Sequence, residues 1–229
     1  MKICICIPSR GRPEFLERLV KTAFSTSADP KNVVIKYYLN DDDEHLDRYK
    51  KILPKLQKRY NVEYDIGPDQ NTVLSWNKIA ESVDADYFML AGDEIQFCTQ
   101  DWDQKIFDTK KQFPDGVYCI STNDGRASRV SLKMCVQPIV TKEWAQALGF
   151  HWSPMFWHWQ VDMYTGQLAK SINRFIFLDD VVIEMKKIKD TTGLRNRKKG
   201  VFIRDEYVLD KLQKIYFEFD KQRLLGACR

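Results

Sequence analysis

The sequence predicts an α/β fold, a single domain on a mostly parallel sheet with a helix closing the chain. Three observations carry this. Short apolar runs rich in β-branched and aromatic residues alternate with segments whose apolar residues recur at helical spacing. Most of these runs end in Pro, Gly, Asn or Asp, the residues of turns. The 229 residues, 44% hydrophobic and 13% aromatic, suffice for one sizeable core, and no internal repeat, low-complexity tract or linker divides them.

The first run, "ICICI" at 3–7, is stopped by Pro8, Ser9 and Gly11 and reads as a buried strand. Pro13 suits the start of a helix whose apolar residues are Phe15, Leu16, Leu19 and Val20. "VVIKYYL" at 33–39 is a second strand, ending in Asn40, Asp41, Asp42 and Asp43. A polar helix follows over about 46–60, with Pro54 expected to interrupt it. "VEYDI" at 62–66 is a third strand, closed by Gly67 and Pro68. "NTVLSWNKIAESV" at 71–83 places Val73, Trp76, Ile79, Ala80 and Val83 on a helix, and "DYFMLA" at 86–91 is a fourth strand.

The second half is less regular. It reads as a helix over 101–112 capped by Asp101, then strands over 116–122 and 135–141, with Pro138 marking an edge or a bulge. A short helix at 142–150 stops at Gly149, and the second half of the aromatic-rich stretch 151–171 is helical. "RFIFLDDVVIEMKK" at 174–187 is a strand pair or one bent strand, and a helix over about 205–225 ends the chain.

No run of about 18 apolar residues is present, which argues against a transmembrane helix. The opening apolar run is too short for a signal peptide and meets Arg10 and Arg12 at once, so a cytoplasmic location is expected. Six cysteines occur without a CxxC pair, which argues for buried free thiols and against a structural zinc site. The net charge of +4 is unevenly spread. Residues 186–204 hold eight basic residues, including Lys186, Lys187, Lys189, Arg195 and Arg197, against Asp190 alone. That is +7 in one segment and −3 elsewhere, which points to a phosphate-bearing partner there.

In parallel α/β sheets ligands bind beyond the carboxyl ends of the strands. Ser9 and Arg10, the cluster Asp41 to Asp43, and the pair Asp93 and Glu94 all fall at such ends. Two adjacent carboxylates closing the apolar "YFMLAGDEIQF" are either a solvated turn or an oxygen site for a hard cation.

In order and spacing these segments resemble the GT-A fold of nucleotide-sugar-dependent glycosyltransferases, near the large family 2 group. "CIPSRGRPEFLERLVKT" is similar to that family's first strand, loop and helix, and "YYLNDDDE" to its second strand with a terminal acid for the donor nucleotide. "GPDQNTVLSWNKIAES" resembles the segment under the donor, "DYFMLAGDEIQF" the metal-binding region, and "HWQVDM" the segment with the catalytic base. The resemblance spans 1–185 as a GT-A-like catalytic domain. Residues 186–229, the basic segment and C-terminal helix, are expected to pack on the same domain.

The resemblance implies transfer of a sugar from a nucleotide-diphosphate sugar, a UDP-sugar foremost, to an acceptor hydroxyl. It implies Mn²⁺ or Mg²⁺ bound through Asp93, with Glu94 beside it. Two departures stand out. The motif is Gly92-Asp93-Glu94 in place of Asp-x-Asp, and "VVIEMKK" offers Glu184 where the family often has a histidine. Asp162 is the implied base, with His158 a turn before it. Asp41 or Asp42 would meet the nucleotide while Asp43 caps the next helix. Ser9, Arg10 and Arg12 would touch the diphosphate, and Asp124 in "STNDG" the donor sugar or the acceptor. Trp152, Phe156, Trp157 and Trp159 either stack on ligand or pack the core.

The basic segment has three readings: closure over the diphosphate, contact with a nucleic-acid acceptor, or a solvated surface. A modified base in DNA, an acceptor some phages glycosylate, would require base flipping; a surface glycan, a lipid or a protein are the other acceptors. The rivals are a nucleotidyltransferase, for which "PSRGRP" has too few glycines, and a nucleic-acid-binding protein using residues 186–204.

Overall fold

In a computed structural model the chain is described over residues 1–186 and 191–228. Strand β1 (Ile3–Ser9) sends Ile3, Ile5 and Ile7 into one core and Cys4 and Cys6 into a second core on the opposite face, and all five are fully buried. A strand covered on both faces has no polar side, so it reads as an unbroken apolar run. Helix α1 (Leu16–Ser25) lays Leu16, Leu19, Val20, Ala23 and Phe24 on the first core. Strand β2 (Val33–Asn40) runs parallel to β1 with Ser9 beside Leu39, so both strands end at one level.

Helix α2 (Leu46–Gln57) continues through Pro54, where an interruption was expected. Buried Tyr49, Leu53 and Leu56 hold it on both sides of the proline, and Lys50, whose carbonyl loses its partner, is exposed to water. Strand β3 (Val62–Gly67) is parallel to β2, and its Glu63 and Asp65 neutralise the buried Lys36 at 3.5 and 3.2 Å. Helix α3 (Thr72–Glu81) packs Val73, Trp76, Ile79 and Ala80 on the second core. Asn71 caps it, its Oδ1 accepting from the Leu74 N–H at 2.8 Å.

Strand β4 (Tyr87–Leu90) lies parallel to β1 on the side away from β2, and the short β5 (Ile95–Phe97) follows it closely. Helix α4 (Trp102–Asp108) begins after Asp101, which is left-handed (φ 56°) and makes no side-chain cap, contrary to expectation. Asp103 instead accepts from the Ala28 and Asp29 N–H groups at 2.6 and 3.1 Å, which fixes the helix to the loop after α1. Strand β6 (Cys119–Asn123) starts three residues later than the sequence suggests, and helix α5 (Ala127–Ser131) follows. Strand β7 (Ile139–Thr141) is confined to the end of the expected 135–141 run. There Gln137 is left-handed (φ 55°), and Ser121 Oγ bonds both the N–H and the carbonyl of Val136, at 3.0 and 2.9 Å.

Helix α6 (Lys142–Leu148) ends at left-handed Gly149, as expected. Helix α7 (Val161–Ser171) leads into β8 (Phe175–Met185), one strand whose register against β6 breaks between Thr122 and Asn123. Helix α8 (Thr191–Lys198) precedes two closing helices, α9 (Val201–Ile215) and α10 (Phe217–Ala227), where one was expected; the chain breaks at Tyr216. They pack on the second core through Leu212 and Leu224, and Asp220 accepts from the buried Tyr164 hydroxyl at 2.7 Å.

The eight strands form one sheet in the order β3-β2-β1-β4-β7-β6-β8-β5. Only β7 and β5 are reversed, so β1, β2, β3, β4, β6 and β8 all point one way. Their carboxyl ends and the start of β7 therefore meet at one edge. Among the described residues no helix is long and apolar enough to cross a membrane. The six cysteines are free; Cys4 and Cys6 lie 3.7 Å apart at sulfur, and Cys98 is exposed where burial was expected.

Candidate active site

A cavity of about 540 Å³ opens at the edge where the strands end. Pro8 and Ser9 at the end of β1, Arg10 and Arg12 from the loop after it, Asn40 from β2, Gly92 and Glu94 after β4, Met185 at the end of β8 and Lys186 just beyond it line it. Among the described residues seven cationic side chains and three carboxylates face it, which suits an anion.

At its base Asp93 is fully buried. Ser9 Oγ donates to its Oδ2 at 2.5 Å, and Arg12 spans both oxygens, Nε 3.2 Å from Oδ2 and Nη2 2.8 Å from Oδ1. Ser9 has one proton and spends it on Asp93, so the Tyr49 hydroxyl, 2.8 Å away, must donate to Ser9. Tyr49 in turn accepts from the Arg12 N–H at 2.9 Å. A continuous chain thus runs from the Arg12 backbone through Tyr49 and Ser9 to Asp93. Burial pushes the Asp93 carboxyl up to about 7; the Arg12 charge pulls it back and Glu94 adds to the rise. Gly92 leaves room for the Glu94 side chain, since a Cβ on it would stand 2.3 Å from the Glu94 carboxylate.

The first loop is tied to the end of β2. Asp43 Oδ2 accepts from the Gly11 N–H at 2.7 Å and Oδ1 from the His45 N–H at 2.9 Å, so it both caps the turn before α2 and anchors the loop. Arg10 forms an ion pair with Asp42 and holds that carboxyl below its ordinary value. Asp41 and Asp42 lie outside the cavity lining. Asn40 takes their place, its Nδ2 donating to Asp69 at 3.2 Å, and Arg195 of α8 reaches the same Asp69 carboxylate at 3.3 Å. The basic segment therefore turns inward at α8: Arg195 and Arg197 line the cavity, and Thr191 to Gly193 form the first turn of this helix. Lys187, Lys189 and Asp190 lie outside the described residues.

Asp162 lines the far part of the cavity, in the first turn of α7 after left-handed Gln160. Desolvation pushes its carboxyl above the ordinary range, against the pull of the Met163 N–H at 2.8 Å, its own N–H and the Arg129 charge. Asp124 is buried and does not face the cavity. Its carboxylate accepts from Arg129 at 2.9 Å and from the Arg126 N–H at 3.1 Å, so it holds two arginines that do line it.

His158 precedes the helix, so it and Asp162 are not one turn apart on a helical face as expected. It lines the cavity with Nδ1 2.9 Å from Thr72 Oγ1 and its ring parallel to Trp76. Trp159 lines the cavity beside it, Trp157 is exposed, and Trp152 and Phe156 are core.

Glu184 does not join Asp93 and Glu94. On β8 it pairs across with Gln96, alternates with the cavity-lining Met185, and binds Lys186 at 2.5 Å. Among the described residues no group of three or more His, Cys, Asp or Glu stands together to hold a metal ion, so the expected trio is not assembled.

The sequence reading passed over Tyr49, Asn40, Asp69, Arg126, Arg129 and Gln137. Asn40 and Asp69 carried a signal, since each is a polar residue at or just beyond the carboxyl end of a strand. The others reach the cavity only through tertiary folding.

No family model and no curated protein matches the chain. Solved structures do. The mannosyltransferase PcManGT from Pyrobaculum calidifontis, in complex with GDP-Man and Mn²⁺, superposes with a TM-score of 0.67 at 10% identity over 99% of this chain and 73% of that one. S. aureus TarS 1-349 in complex with UDP gives 0.64 at 10% identity over 83% of this chain and 61% of that one. A longer S. aureus TarS structure gives 0.64 at 8%, again over 83% of this chain. The chain spans 37% of the longer TarS structure. Both proteins are GT-A-type nucleotide-sugar glycosyltransferases, and the fold described above is a GT-A fold.

Proposed function

We propose that the protein is a glycosyltransferase that moves a sugar from a nucleoside-diphosphate sugar, a UDP-sugar foremost, to an acceptor hydroxyl. The observation that carries this reading is the content of one cavity: arginines from three parts of the chain and a desolvated carboxylate, Asp162, at the ligand-binding edge of a GT-A sheet. Asn40 and Asp69 offer hydrogen bonds to the nucleoside, where Asp41 and Asp42 were expected. Arg12, Arg126, Arg129, Arg195 and Arg197 offer charge-assisted bonds to the diphosphate.

The chemistry then needs one proton acceptor. As the acceptor oxygen bonds to the anomeric carbon, the bond from that carbon to the diphosphate oxygen breaks and its electron pair stays on the phosphate. Asp162 takes the hydroxyl proton, and its raised carboxyl makes it a better base at neutral pH than a solvated aspartate. Water is held back by the aromatic wall of Trp76, His158 and Trp159.

A divalent ion held by Asp93, Glu94 and Glu184 does not fit this arrangement, because Asp93 is covered by Arg12 and Glu184 is elsewhere. The arginines of the basic segment serve the donor cavity, which favours donor closure over a DNA duplex as their role.

Thermal unfolding against UDP-, GDP- and CDP-sugars tests the reading. A ligand that binds only the folded chain adds about 2.7 kcal/mol at a hundredfold excess over Kd, so one nucleotide class should raise Tm by several degrees. No shift with any donor, together with a shift on adding DNA, would overturn it and leave the basic segment as a nucleic-acid surface.

A further inference from the structure

We propose that Arg12 is the built-in cation of this cavity, so that the donor diphosphate binds without a divalent metal ion. The inference rests on the donor reading above and deepens it. Arg12 is nearly buried, yet it lines the cavity. Its guanidinium presents its fork to Asp93: Nε donates to Oδ2, while Nη2 is ion-paired with Oδ1 without forming a hydrogen bond to it, and Nη2 is also 3.9 Å from Glu94. The side chain is locked from behind, since its backbone N–H donates to Tyr49 and Ser9 fills the remaining side of Asp93.

A divalent cation needs carboxylate oxygens in direct contact, at roughly 2.0–2.6 Å. Oδ2 is taken by Ser9 and Arg12, and Oδ1, which accepts no hydrogen bond, lies buried 2.8 Å from Nη2 with the guanidinium beside it; Asp93 is not exposed and Glu94 is the carboxylate left at the base of the cavity. Among the described residues the contacts of the guanidinium run through Nε and Nη2. A diphosphate oxygen in the cavity would add to them, placing a permanent positive charge where the leaving group gathers its negative charge. The chain has thus kept the family's carboxylate position and turned it from a metal ligand into an arginine holder.

Calorimetric titration with UDP and GDP, in EDTA and in Mn²⁺, separates the possibilities. The wild-type chain should bind one nucleotide with the same Kd in both conditions, and Mn²⁺ resonance spectra should show the ion free in the presence of that nucleotide. Arg12→Ala should weaken binding in EDTA by about ten- to a hundredfold, the worth of a charge-assisted hydrogen bond. Arg12→Lys, which keeps the charge but not the fork, should fall between. Loss of wild-type binding in EDTA with recovery in Mn²⁺ would overturn the proposal and leave the donor reading standing. So would Arg12→Ala binding as tightly as wild type. Failure of both nucleotides in both conditions would overturn the donor reading and this proposal with it. If Arg12→Ala does not fold, the wild-type comparison and Arg12→Lys still decide.

Discussion

Asp205 is fully buried on α9 and accepts from three consecutive backbone N–H groups, those of Trp157, His158 and Trp159, at 3.1, 2.8 and 2.9 Å, with Arg204 closing the fourth side at 2.6 Å. This one carboxylate shapes the loop that delivers His158 and Trp159 to the cavity. Asp205→Ala should lower stability by about 2–4 kcal/mol, since it strands three partly buried donors, read as a lower urea midpoint at unchanged slope. At Asp162 the expectation is the opposite in kind. Asp162→Asn keeps the shape of the cavity wall, so nucleotide binding should persist while sugar transfer drops about 10²- to 10⁴-fold. Equal loss of binding and turnover would mean that Asp162 holds the donor and does not act as base. Of these two acids the sequence pattern exposed only Asp162, through the motif it sits in. Asp205 was invisible, because its partners lie nearly fifty residues away and are backbone groups, which leave no trace in residue type. The same holds for Arg129, brought to the cavity by a buried Asp124 that had itself been read as a ligand contact.

Strands and helices of the first half were legible because each obeys a purely local rule. β1, β2 and β4 are covered on both faces and so read as apolar runs, while α1 and α3 carry one apolar stripe each. The second half follows tertiary demands. β7 runs against its neighbours and is only three residues long, because the chain before it turns at Gln137 and bonds to Ser121. The break at Tyr216 between α9 and α10 was hidden, since both halves have good helical composition. Packing of α7 turns on one small residue that spacing did not mark. A Cβ on Gly166 would stand 2.3 Å from Cys135 Cβ, between the helix and the segment before β7. Gly166→Ala should therefore destabilise by about 1–3 kcal/mol through overpacking, although alanine is the better helix former. Paired replacement with Cys135→Gly should recover part of that loss; no recovery would place the strain elsewhere.

For the molecule as a whole, stability against pH is set by buried groups on opposite sides of the balance. His151 packs edge-on against Phe88 at 4.3 Å, and desolvation holds its ring down to about 4. The unfolded chain takes up a proton near pH 6.5 that the folded chain refuses, so this group's contribution is complete above that pH and is lost as pH falls toward 4. Asp93 works the other way. With its folded value raised to about 7, its contribution is complete below the unfolded value of 3.8 and is lost as pH rises through 7. Between pH 4 and 7 the two slopes oppose each other, so the two groups partly offset in the wild-type chain. His151→Phe removes one slope and should expose the other. Relative to wild type the variant should gain about 2–3 kcal/mol between pH 7 and pH 4.5, whatever its offset at neutral pH. Urea midpoints of the two chains at both pH values measure this directly. A difference that stays constant would show that His151 takes up its proton without unfolding its surroundings, and that the ring reaches water through the cleft lined by Phe88, Lys142 and Phe150.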